Sequence, residues 1–215
     1  MSMRLKYRVI IRDSSRQVLA DSGLRDSHSF VVGFLGAIGG LIAGGRDVLD
    51  IYGATQRTIP NNQYKSTGED LLNMGGEGDE LMGIVVGSGD VAESTTDYKL
   101  ASQIGASTLY PSNHHFVEFE DASTASQAII RAFSNISNES VTIRETGIQV
   151  YDLAVHWWRE ITGYQNYYPY LPITELRYEP YDWYGLIVRD VLDYSYLIPV
   201  EGVCSIQYIL ELQKS

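Results

Sequence analysis

With 215 residues, 44% of them apolar, the chain can close one sizeable core and is too apolar for wholesale disorder. A formal charge of −11, with 16 scattered Lys and Arg, leaves no basic stripe for a nucleic-acid backbone. Cys204 is the single cysteine, which excludes an internal disulfide.

The opening MSMRLKYRVIIRD carries charges inside its apolar run, so it reads as a strand and not as a secretory signal. A cytoplasm-like compartment is therefore expected, and the glycosylation patterns at Asn135 and Asn138 are chance matches. Residues 6–11 form the strand, Asp13, Ser14 and Ser15 supply a turn, and residues 17–19 return as its hairpin partner. Ser27 or Ser29 then caps a helix through Ile42, because Phe30, Phe34, Leu35, Ile38, Leu41 and Ile42 recur at helical spacing. This segment is free of charge, and Gly36, Gly40 and Gly44 fall four apart. Such a pattern suits either a membrane segment with small-residue packing or a helix buried in protein. The run falls short of the roughly 20 residues that span a bilayer, so burial in protein is expected.

Residues 48–52 read as a short strand, and 55–83 as a long connection holding the acidic run GGEGDE at 75–80. Glu77, Asp79 and Glu80 offer oxygen ligands, but their spacing matches no EF-hand, so a solvated acidic loop is expected and no metal. Ile84, Val85 and Val86 form a central strand stopped by Gly87-Ser88-Gly89. A polar excursion follows, tied back by Tyr98, Leu100 and Ile104. Residues 108–110 and 114–120 are further strands, and adjacent His114 and His115 would point to opposite faces, as surface histidines. Residues 128–133 and 141–145 read as strands joined by a turn at Ser137, Asn138 and Glu139, and Gly147 as a bulge. Residues 186–192 and 197–200 follow as strands. After a tight turn at Glu201 and Gly202, the last strand alternates, with Cys204, Ile206, Tyr208, Leu210 and Leu212 inward.

Many short strands with turn signals between them predict an all-β chain. We expect one antiparallel β-sandwich over 1–215, jelly-roll-like, with the short apolar N-terminal helix and an aromatic-rich insertion at 151–183. Ten of the 16 tyrosines and all three tryptophans lie between Tyr151 and Tyr196. Trp157, Trp158, Tyr164, Tyr167, Tyr168, Tyr170 and Trp183 are the candidate contact residues. Such side chains give large contact area with few rotamers to freeze. They serve either as a satellite core under a long loop or as an outward surface for protein or glycan. Nothing in the chain has the arrangement of a nucleophile with its base or of a phosphate cradle, so neither catalytic residues nor a cofactor is expected.

The order GIVVGSG, TTDYKLASQI, FSNISNESVTIRETGI, LIVRDVL and an alternating last strand resembles small β-sandwich structural proteins of tailed bacteriophages and archaeal tailed viruses. The opening YRVIIRDSSRQVL followed by SHSFVVGFL is similar to the start of some of these. Thr146 departs from the aliphatic residue usual in that pattern, as does the aromatic insertion. The resemblance covers about two-thirds of the chain. It implies a non-enzymatic component of a capsid surface, tail or fibre, assembled in a host cytoplasm, which forms homo-oligomers and contacts other virion proteins. A carbohydrate-binding or host-attachment module, with Tyr167, Tyr168, Tyr170 and Trp183 as a stacking platform, is the alternative from a different class. An enzyme with a carboxylate pair in a groove ranks third.

Overall fold

The structure is a computed structural model that describes residues 2–27, 30–31, 47–49, 51–53, 55–57, 75–120, 124–157, 162–163, 173–174 and 178–213. Among these residues there are fourteen strands and no helix. In chain order they are β1 (Ser2–Arg12), β2 (Val18–Asp21), β3 (Arg25–Asp26), β4 (Asp47–Leu49), β5 (Thr55–Arg57), β6 (Gly83–Gly87) and β7 (Leu109–Pro111). There follow β8 (His115–Glu120), β9 (Thr124–Asn135), β10 (Val141–Trp157), β11 (Thr162–Gly163), β12 (Ile173–Thr174), β13 (Tyr178–Ile198) and β14 (Val203–Gln213).

The larger sheet runs β2-β1-β14-β9-β7, with β3 also on β1 and β8 also on β9. Its axis is β14, which pairs antiparallel with β1 from Ser2↔Gln213 to Arg12↔Val203 and with β9 from Val203↔Ser134 to Gln213↔Thr124. Period-two patterning explains why these strands settle in this register. Leu5, Tyr7, Val9 and Ile11 of β1 and Cys204, Ile206 and Tyr208 of β14 are all buried, and Leu210 packs on the same core half-buried. A one-residue slip would turn every one of these side chains to water, at about 1.5–3 kcal/mol for each fully buried aliphatic.

The second sheet runs β13-β10-β6. Its Ile84, Val86, Ile143, Ile148, Val150, Val188 and Ile198 join the same hydrophobic cluster as the inward residues of β1 and β14, so the two sheets share one core. Gly147 is required where it stands, because a Cβ there would lie 2.5 Å from the Val188 carbonyl oxygen. Each edge of this sheet is met by a further segment over one or two residues. Phe30 bridges Val188 and the Val31 amide donates to Ile187 O beside β13, while Gln103 bridges Gly87 and the Ile104 amide donates to Val86 O beside β6.

Several expectations change. Phe30 and Val31 are extended along β13 and are not helical, because their backbone groups are taken by that strand; residues 32–42 of the expected helix lie outside the described residues. Residues 58–74 of the long connection also lie outside them, and β5 interrupts its start by pairing with β4. Residues 128–133 and 141–145 are not a hairpin. β9 belongs to the larger sheet and β10 to the smaller, so the turn at 137–139 is a crossover between sheets. Asn135 causes this. Buried at the end of β9, it donates from Nδ2 to the Glu139, Ile198 and Pro199 carbonyls and accepts from Ser137, locking the chain where it changes sheet. The two strands expected at 186–192 and 197–200 are one, β13, whose register on β10 skips from Val191 to Tyr196.

Cys204 is fully buried, and burial alone pushes its thiol well above the ordinary value, so the thiolate is suppressed. The folded protein is expected to resist a bulky thiol reagent until denatured. Cys204→Ser should cost about 1–3 kcal/mol, read from urea unfolding, because it buries a hydroxyl without an assured partner.

Candidate functional site

The expected aromatic insertion begins as strand, not loop. β10 and β13 stay paired past the body, from Tyr151↔Tyr184 to Trp157↔Tyr178, although β6 leaves β10 at Gln149. The main chain thus forms a two-stranded ribbon, with the small β11–β12 hairpin lying in the sequence beyond it. Trp157 and Trp183 sit on opposite strands of the ribbon, at the registers Trp157↔Tyr178 and Asp152↔Trp183, and so are not cross-strand partners. Trp158, Tyr164, Tyr167, Tyr168 and Tyr170 lie outside the described residues.

Among the described residues of the body, chemistry-bearing side chains gather at two buried clamps and along a cleft. The first clamp is Arg131 on β9, fully buried and in phase with Ile129 and Phe133. Its Nη1 donates to Met82 O (2.7 Å) and Ile84 O (2.9 Å), and its Nη2 to Gly76 O (2.9 Å) and Asp79 O (2.6 Å). Its Nε donates to Ser112 O at 3.0 Å. Burial lowers its pKa to about 10, with Asp79 opposing, so it remains a cation at neutral pH. The run GGEGDE is therefore not a freely solvated loop: it turns its carbonyls inward around a guanidinium. Asp79 Oδ1 accepts from the Leu81 and Met82 amides, Glu80 caps the Ala106 amide, and Glu77 is exposed.

His114 belongs to this clamp and is half-buried, not the free surface residue expected. Its Nε2 accepts from the Ile84 amide (3.1 Å), which leaves Nδ1–H to donate to Gly75 O (3.3 Å). His115 is exposed, as expected.

The second clamp holds the polar excursion over residues 88–103. Glu145, with no exposed surface, accepts at Oε1 from the Gly89 (3.1 Å) and Ser102 (2.7 Å) amides and at Oε2 from Ala101 (3.0 Å). Arg189, also buried, pairs with Glu145 Oε2 at 3.0 Å and with Asp97 at 2.6 Å, and donates to the Val91 carbonyl. Burial pulls the Arg189 pKa down, but its bonds to Asp97 and Glu145 outweigh that and raise it. Leu100 and Ile104 do anchor the excursion, and the buried ion pair fixes its shape between them.

The cleft, about 660 Å³, lies among residues 24–26, 90–93 and 190–193, with Tyr7 on its wall. Asp190, 1% exposed, accepts from the hydroxyls of Tyr208 and Ser27, both at 2.9 Å. Burial first, then the Asp193 and Asp190 charges, raise the Tyr7 pKa to about 12. Asp90, Glu93 and Asp193 share the wall but are engaged, by Arg144, the Val191 amide and Arg25 respectively. Among the described residues no group of three or more His, Cys, Asp or Glu is placed to hold a metal ion.

The sequence carried a signal for these groups in strand phase. Arg131 alternates with Ile129 and Phe133, Glu145 with Val141 and Ile143, and Asp190 with Leu186 and Val188. A charge in phase with core residues is a buried charge that needs partners. Comparison with known proteins finds no matching family model, and no significant match among curated proteins or solved structures.

Proposed function

We propose that the chain is a non-enzymatic structural protein, a β-sandwich that carries its aromatic ribbon to a neighbouring subunit in an assembled particle. The continuation of β10 and β13 beyond the end of β6 carries this reading. β5 also contacts β10, but β10 and β13 are the strands paired along this stretch. A two-stranded pair is at best marginal in water, so one rich in tyrosine and tryptophan gains stability by burying its surface against a neighbour. The body favours the same reading, because its buried charges Arg131, Glu145 and Arg189 are committed to holding backbone. The resemblance to virion structural proteins of tailed viruses supplies the setting: a capsid surface, tail or fibre, with the homo-oligomer as the unit.

The test replaces residues 158–177 by an Asn-Gly turn, which closes a hairpin directly on the Trp157↔Tyr178 pair. The variant is expected to keep the circular dichroism of the β body and to lose self-association in sedimentation velocity. A variant that unfolds makes the tip part of the core, and one that assembles normally removes it from the interface. A monomeric parent protein that binds glycan through Tyr167, Tyr168, Tyr170 and Trp183 would replace the reading by the carbohydrate-binding one.

A further inference from the structure

The turn over residues 75–80 is closed by a group whose bonding depends on its protonation. His114 spans from Gly75 O to the Ile84 amide, the two ends of the segment that leads into β6. The Ile84 N–H points at Nε2, so that nitrogen must hold a lone pair and the ring must be neutral. The charged and titratable groups around the ring come from three places: Arg131 from β9, Asp79 from the turn, and His115 from the start of β8. Arg131 has no exposed surface and donates to four carbonyls of the same segment, Gly76, Asp79, Met82 and Ile84. A proton on Nε2 would therefore set N–H against N–H and a second cation beside a buried one.

We propose that His114 is an acid latch: neutral, it ties Gly75 at the start of the 75–80 turn to strand β6, and protonated, it releases Gly75 and the Ile84 amide while the two-sheet body stays folded. The direction of its titration agrees with the geometry. Burial first, then Arg131, lowers the His114 pKa from 6.5 to about 4. The closed state thus binds the proton less well than the open one. Closure is at full strength above pH 6.5 and weakens as pH falls toward 4. Over that window the opening constant rises about tenfold per pH unit, on the order of 100-fold in all. The rest of the turn stays held by Arg131 on the Gly76 and Asp79 carbonyls, by the Gly78 amide on Pro111 O, by Glu80 on the Ala106 amide and by the Glu77 amide on Asn113 Oδ1.

The experiment is a pH series on the full chain by NMR, following the His114 ring nitrogens and the exchange protection of the Ile84 and Ile206 amides. The expected result is a His114 midpoint near 4, with Ile84 protection falling along the same curve while Ile206 stays protected. In His114→Gln, which accepts without titrating, Ile84 protection should be flat over this range. A His114 midpoint near 6.5 with Ile84 still protected overturns the latch. So does simultaneous loss of Ile84 and Ile206 protection, which is acid unfolding of the whole body. If His114→Gln does not fold, the two wild-type curves decide the matter alone.

Discussion

Arg131→Met is expected to lower the unfolding free energy by about 3–5 kcal/mol. The reason is the number of acceptors left behind. The guanidinium satisfies five carbonyls, those of Gly76, Asp79, Met82, Ile84 and Ser112, from a position with no exposed surface. Each buried acceptor that loses its donor costs about 1–3 kcal/mol, and the segment can hydrate only by peeling away from β9. A domain of this kind has about 5–15 kcal/mol in total, so the substitution removes a large fraction of it. Arg131→Lys keeps the charge but brings three donors instead of five, and should fall between the two. Urea titration followed by far-UV circular dichroism measures both. A loss below about 1 kcal/mol for methionine would mean that water already serves these carbonyls.

Glu145→Leu is expected to cost about 3–5 kcal/mol, and joining it to Arg189→Leu should restore only part of that. Removing one partner of a buried pair strands the other charge, whereas removing both often restores stability. Here the carboxylate also accepts the Gly89, Ala101 and Ser102 amides, so the double variant still leaves three donors without an acceptor. The close approach is built in: a Cβ at Gly87 or Gly89 would lie 2.5 Å from Glu145 Oε1. A double-mutant cycle separates the ion pair from the backbone bonds. Full recovery in the double variant would show that the amides find water when the charge is gone.

How much of this was legible depended on whether partners lay close in sequence. β14 was read correctly, because Cys204, Ile206 and Tyr208 alternate without interruption and the strand needs no other information to be placed on the core. The turn after β9 was misread because Ser137, Asn138 and Glu139 suit a hairpin and a crossover equally. The choice is made by Asn135 reaching the Ile198 and Pro199 carbonyls from a distant strand. Arg131 and Glu145 were visible as charges in phase with core residues, yet their acceptors and donors belong to loops tens of residues away. His114 was taken for a surface group because nothing local shows that Gly75 and Ile84 close around it. For the ribbon, the aromatic composition was evident and the strand continuation was not, since prolines and tyrosines hide the period-two pattern.

The place of β14 sets the timing of folding. It lies between β1 and β9 and bonds to both along its whole length. A nascent chain that has emerged only through residue 200 therefore holds the larger sheet as two separate pieces, with the inward faces of β1 and β9 lacking the strand that joins them. The sheet closes only when residues far apart in sequence meet, as in Ser2↔Gln213. Such non-local closure places folding in the slow, millisecond-to-second class. It also makes the waiting intermediate a species with two unpaired strand edges, the state in which a growing chain most needs protection from its neighbours.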